Sequence, residues 1–234
     1  MGVEANTIRV TLHRLLKDGD AKSEKRGRYS LGEKRRPLYK ISQEWAELPS
    51  LTRVWEGDWI VVHTAHLGKQ DRPAKRVRER ALNLHGFTEA LNGFWCRPNN
   101  LLIDNNRLCK QLYELGLERS AVITESKMLG ENFKDRISSL WDTGSLERGY
   151  VEGREMIRES LKNLRGASAS LRSQHTFQLL NTCFKFLASD PLLPPEFINE
   201  RLRNDFYKAL VKYDQFGRTA WADFYREEEL ATEA

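Results

Sequence analysis

Apolar positions recur with helical spacing at the start of the chain. Ile8, Leu12, Leu15 and Leu16 fall at i, i+4, i+7 and i+8 within Glu4–Lys17, which predicts a short amphipathic helix. Asp18-Gly19-Asp20 stops it, with Gly19 placed for a C-terminal cap. A small β-like stretch, Ala21–Ser42, follows, with a turn expected around Gly32. After the Pro49-Ser50 linker, Asp58–Ala65 is apolar and β-branched enough for a buried strand, and Pro73–His85 has a helical pattern. Phe87–Arg97 predicts a hairpin turning at Asn92-Gly93, Asp104–Leu115 a second helix and Arg119–Glu125 a last strand. That βαββαβ order predicts a ferredoxin-like antiparallel sheet with helices on one face. From residue 131 onward the patterns are helical: Phe133–Leu140, Leu146–Asn163, Leu171–Ser189, Pro195–Phe216 with breaks, and Thr219–Glu228. The fold class is therefore α+β. A partial winged helix-turn-helix (1–48) precedes a ferredoxin-like middle (51–130) and an all-helical C-terminal part (131–234).

Charge changes the picture at one end only. Residues 1–40 carry 11 Lys/Arg against 5 Asp/Glu, a balance of +6, whereas the remaining residues carry 27 against 28. A basic excess confined to one short segment is the footprint of a phosphate-binding surface. On the predicted helix, Asn6, Thr7, Arg9, His13, Arg14 and Lys17 lie away from the apolar stripe and include side chains able to reach base edges and phosphates. Lys25, Arg26 and Arg28, with Arg35 and Arg36, form two clusters suited to a wing that touches the backbone. Such a recognition helix packs on two preceding helices, and exposing Ile8, Leu12 and Leu15 forfeits about 1.5–3 kcal/mol each. The expectation is that the natural start lies upstream of Met1.

Other chemistry is sparse. The three cysteines, Cys96, Cys109 and Cys183, have no metal-ligand spacing, which fits a reduced, cytoplasmic protein. No apolar run reaches membrane-spanning length, and the N-terminal residues show no signal-peptide hydrophobic region. Arg72, Lys75, Arg76, Arg78 and Arg80 make the helix after the first central strand strongly cationic, a solvated or packing face or a seat for an anionic effector. Neither a phosphate-cradling glycine loop nor a zinc-protease motif occurs. His63 and His66 are expected to point to opposite faces of their strand, and no metal site or catalytic residue is assigned.

Several stretches taken in order resemble the PaaX family of phenylacetic-acid catabolon repressors. They are Asn6–Leu15 with Ser23–Arg28; Trp55 and Trp59; Arg80 through Gly86-Phe87 to Gly93-Phe94-Trp95 and Pro98; Leu140-Trp141 with Tyr150; and Asp190-Pro-Leu-Leu-Pro-Pro-Glu-Phe197. The resemblance implies a homodimeric, winged-helix repressor that binds double-stranded operator DNA and is released by an aryl-acetyl-coenzyme A thioester. It implies no cofactor and no enzymatic activity. Asn199-Glu-Arg-Leu-Arg203 departs from the family's tryptophan-containing continuation, so the effector's identity and pocket residues are not implied. The competing reading is a metal-dependent nuclease built on the ferredoxin-like middle, with Asp58 the nearest carboxylate.

Overall fold

The structure, a computed structural model, describes residues 4–25, 27–32, 50–68, 71–127, 137 and 139–233. These form a mixed α and β protein with six helices and two antiparallel sheets among the described residues. The chain divides into two compact units, Met1–Leu48 and Pro49–Ala234.

The first unit contains α1 (Ala5–Lys17), β1 (Ala21–Lys25) and β2 (Arg28–Leu31). The helix ends as its sequence demands. The Asp20 N–H donates to Leu15 C=O at 2.9 Å and the Gly19 N–H to Leu16 C=O at 3.2 Å, with Gly19 at φ 72°. This pair of bonds satisfies carbonyls that a helix end otherwise leaves open, and it turns the chain straight into β1. The hairpin turns at Gly27 (φ 77°), not around Gly32. Gly32 is needed for a different reason: a Cβ there would lie 2.0 Å from the Gly19 carbonyl oxygen. Helix α1 buries none of its residues; Ile8 is 54% exposed, while Leu12, Leu15 and Leu16 are half-buried.

The second unit begins with a four-stranded sheet of β3 (Trp59–His63), β4 (Thr88–Leu91), β5 (Phe94–Pro98) and β6 (Val122–Ser126), in the order β4-β5-β3-β6. Helices α2 (Arg72–Leu84) and α3 (Asn105–Glu114) lie between strands in sequence. Asp71 caps α2 by accepting from the Ala74 N–H, and Asp104 caps α3 by accepting from Arg107 N–H, both at 3.0 Å. Central strand β3 alternates between two cores. Ile60 and Val62 join Leu82, Phe87, Trp95, Leu108 and Leu112 on one face, and Trp59, Val61 and Cys96 form the other. Both faces are covered, so the strand reads as an unbroken apolar run. The strand is shorter than expected, ending at His63, and His66 falls in the turn that follows.

What covers the second face comes from far along the chain. Ile137, Leu140, Trp141 and Phe197 pack there with Trp55. Phe197 sits 5.3 Å from Trp55, 6.0 Å from Trp59 and 5.7 Å from Trp141, all edge-on or tilted. The predicted helix at 133–140 lies mostly outside the described residues. Three long helices follow, α4 (Thr143–Asn163), α5 (Ala169–Leu187) and α6 (Glu200–Glu233). The last is one continuous helix where two were expected. Its Gly217 does not break it, because a Cβ there would stand only 3.3 Å from Thr176 of α5 and the close approach of the two helices needs a small residue.

The Asp190–Leu193 strap ties these parts together. Arg97, 1% exposed, donates to Asn100 Oδ1 at 3.1 Å, to the Pro191 carbonyl at 3.3 Å and to the His85 carbonyl. Asn100 donates to the Leu192 carbonyl at 2.7 Å, and Arg203 to the Leu193 carbonyl at 2.6 Å. From α4, the Tyr150 hydroxyl donates to Asp190 Oδ2 at 2.8 Å, and the Leu192 N–H donates to Asp190 Oδ1 at 2.8 Å. Leu192 itself holds a left-handed backbone conformation, φ 51°. Such strain persists only where the surroundings over-determine it.

Candidate nucleic-acid interface

Helix α1 contains no carboxylate along its length. At 100° per residue, Arg9, His13, Asn6, Lys17, Val10, Arg14 and Thr7 occupy one arc of roughly 160°, while Ile8, Leu12, Leu15 and Leu16 share the opposite side. All six of the polar or cationic candidates on that arc are exposed. A 13-residue helix is roughly 20 Å long, with a cross-section suited to the major groove.

The hairpin adds a second cationic surface. Its register sets Lys22 opposite Ser30 and Lys25 opposite Arg28, with an irregularity between Ser23 and Lys25. Directly opposed residues share a face, so Lys22, Lys25 and Arg28 line one side of the ribbon. Without the irregularity the pleat would send Lys25 to the other side; the extra residue re-aims it. Glu24 lies on the cationic side too, where it accepts a 2.6 Å hydrogen bond from the Ser30 hydroxyl. Tyr29 and Ser23 are paired on the opposite side, with Tyr29 46% exposed. Arg26, Arg35 and Arg36 lie outside the described residues. Lys22 belongs with Lys25 and Arg28 although spacing alone does not select it; the strand register does.

The cations of α2 are less uniform than their sequence suggests. Arg78 turns inward, 5% exposed, pairs with Glu118 at 3.0 Å and donates to the Thr64 and Gly68 carbonyls at 3.4 and 3.2 Å. It holds α2 against the loops around the sheet. Arg72, Lys75, Arg76 and Arg80 stay exposed.

The groups weighed for catalysis are engaged in structure. Asp58 Oδ2 accepts from Asn99 Nδ2 at 2.6 Å and from Arg53 at 3.3 Å. His63 packs edge-on to Phe94, and His66 Nε2 lies 2.7 Å from the Ser120 carbonyl oxygen. Burial pushes the Cys96 thiol up to about 12 and that of Cys183 to about 11, far from the thiolate a nucleophile needs. Among the described residues, no three His, Cys, Asp or Glu side chains come together in a way that could hold a metal ion, and no helix is long and apolar enough to cross a membrane.

No family model and no curated protein matches this chain. Among solved structures, the uncharacterized protein Rv0674 from Mycobacterium tuberculosis is similar in fold, with a TM-score of 0.55 and 20% sequence identity over 94% of this chain and 86% of that one.

Proposed function

We propose that this chain is a DNA-binding transcriptional regulator of the PaaX kind: a cytoplasmic, homodimeric repressor of an aromatic-acid catabolic operon, released from double-stranded operator DNA by an acyl-coenzyme A effector. The observation that carries the reading is the first unit. It has a carboxylate-free helix with an exposed cationic arc, followed at once by a hairpin with Lys22, Lys25 and Arg28 on one side. Helix and hairpin succeed one another as the recognition helix and wing of a winged helix-turn-helix do. The strand order β4-β5-β3-β6, with α2 and α3 as the crossovers, supports a ferredoxin-like middle. In this reading Asn6, Thr7, Arg9, His13, Arg14 and Lys17 meet bases and flanking phosphates, and the wing cations meet the backbone.

A gel-shift titration on the protein's own promoter fragment and on unrelated duplex, between 50 and 200 mM salt, tests it. Arg28→Ala is expected to weaken both complexes alike and to lower the salt slope by about 0.9, the signature of one lost phosphate contact. Arg9→Ala is expected to lose about 1–3 kcal/mol of preference for the promoter. Unchanged affinity in both variants refutes the reading.

A further inference from the structure

Helix α2 carries a charge pattern that its own stability does not explain. Beyond residue 40 the chain is balanced, at 27 Lys/Arg against 28 Asp/Glu, yet α2 alone holds five cations and one carboxylate. Its first turn contains Arg72 and Lys75 and no acidic residue, so cations stand at the positive end of the helix dipole, where they are disfavoured. Two of the five are accounted for: Arg78 is buried against Glu118, and Lys75 reaches Glu79 at 3.5 Å. Arg72, Arg76 and Arg80 form no ion pair among the described residues, and all three are exposed.

These three follow one another at i, i+4 and i+8. At 100° per residue they and Asn83 fall within an arc of roughly 80°, which points directly away from the buried Arg78, Ala81 and Leu82. Glu79 lies just outside it. Successive arginines stand about 6 Å apart along the helix, so the row is about 12 Å long. One strand of a duplex carries a phosphate about every 3.4 Å of its axis, so the row spans about three or four of them. Its members are all arginine, whose fork fits two phosphate oxygens, and the one lysine of the helix is already paired. The arc holds no apolar or aromatic side chain. It lacks both the apolar anchor of a protein interface and the stacking platform on which single strands are held. We propose that Arg72, Arg76 and Arg80 grip the phosphate backbone of a duplex without reading its bases, with the Asn83 amide donating one turn further on. This second nucleic-acid contact belongs to the second unit, outside the residues to which the regulator reading gives DNA. It stands whether or not α1 reads an operator.

The full chain is titrated by fluorescence anisotropy against a duplex of scrambled sequence and against the promoter fragment, between 50 and 200 mM salt. Arg72→Gln, Arg76→Gln and Arg80→Gln together should weaken both complexes by the same factor, tenfold or more, and lower the salt slope by about 2–3, since each lost phosphate contact removes about 0.9. Arg76→Gln alone should lower it by about 0.9. Lys162→Gln, Lys208→Gln and Lys212→Gln together remove the same charge from exposed positions on α4 and α6 and should leave the slope unchanged. Thermal melts confirm that the variants are folded. An unchanged slope in the arginine variants overturns the proposal, as does an equal fall in the lysine variant, which would mean that net charge alone is at work. Equal losses of affinity for poly-L-glutamate and for duplex overturn it too, because the face would then recognise acidic protein rather than phosphate. The α1 reading is separated by Arg9→Ala in the same titrations. Promoter preference that depends on Arg9, with no effect of the α2 row, sinks the row alone. A slope that depends on the row, with no preference for the promoter, sinks the regulator alone.

Discussion

Two glycines at the same backbone angle provide a matched test of the strap. Gly86 and Gly166 both sit at φ 74°. Around Gly166 nothing lies within 4 Å of where a Cβ would be; at Gly86 that Cβ would fall 2.8 Å from the Pro191 carbonyl oxygen and 2.9 Å from Pro191 Cα. An L-residue in the left-handed region costs about 1–2 kcal/mol, and this is the whole effect expected of Gly166→Ala. Gly86→Ala carries the same cost and must also push backbone away. The displaced atom is the acceptor of the Arg97 hydrogen bond, and losing a bond from a charged donor costs about 1.5–3 kcal/mol more. The expected losses are about 1–2 kcal/mol for Gly166→Ala and about 2.5–5 kcal/mol for Gly86→Ala. Urea unfolding followed by tryptophan fluorescence reads both. A Gly86→Ala variant no less stable than Gly166→Ala would refute the account of a strap clamped against the end of α2.

Two further outcomes concern the same region. Tyr150→Phe removes the 2.8 Å donor to Asp190, at a cost of about 1.5–3 kcal/mol. Burial raises the Asp190 carboxyl, so its favourable contribution is present below the ordinary carboxylate pKa and lost as pH rises through the raised one; the tyrosine bond opposes that loss. The Tyr150→Phe deficit should therefore be larger in urea melts at pH 7 than at pH 4. His85 is held below its ordinary pKa by burial, with Arg97 adding to it, so its stability contribution is present above about 6.5 and lost as pH falls through the lowered value. His85→Gln should flatten the stability profile between pH 7.5 and pH 5, and a profile as steep as that of the parent protein would show that another group is responsible.

Where local chemistry decides, the sequence was legible. Helix α1 with its Gly19 cap and the Asn92-Gly93 turn follow from a few neighbouring residues. Local reading misleads where a glycine serves a distant partner. Gly32 resembles a turn residue, but it is required by the backbone of Gly19 and Asp20. Gly217 resembles a helix end, but it accommodates Thr176 and Leu180. The inward turn of Arg78 is not legible locally, because its partner, Glu118, is far along the chain. Of the candidate interface, the arc of α1 was readable from period alone, whereas the grouping of Lys22 with Lys25 and Arg28 depends on an irregularity that only the strand register reveals.

Within the second unit, most residues that carry the PaaX resemblance have a physical common denominator. Trp55, Trp59, Trp141 and Phe197 are one aromatic cluster, and Trp141 also donates to the Gly86 carbonyl at 3.2 Å. Gly86 exists to let Pro191 approach, and Tyr150 and Asp190 hold the strap's first turn. These are constraints of close packing and buried hydrogen bonding, in which a change of one methyl group or one donor costs kcal/mol whatever the protein recognises. The groups that would choose a partner lie on exposed surface, on the arc of α1 and at Lys22, Lys25 and Arg28 of the hairpin, where substitution costs the fold little. The part of the resemblance that rests on the first set therefore speaks to architecture. A chain could keep the whole strap and aromatic cluster while reading another operator, so Gly86→Ala tests the scaffold, and Arg9→Ala and Arg28→Ala test recognition.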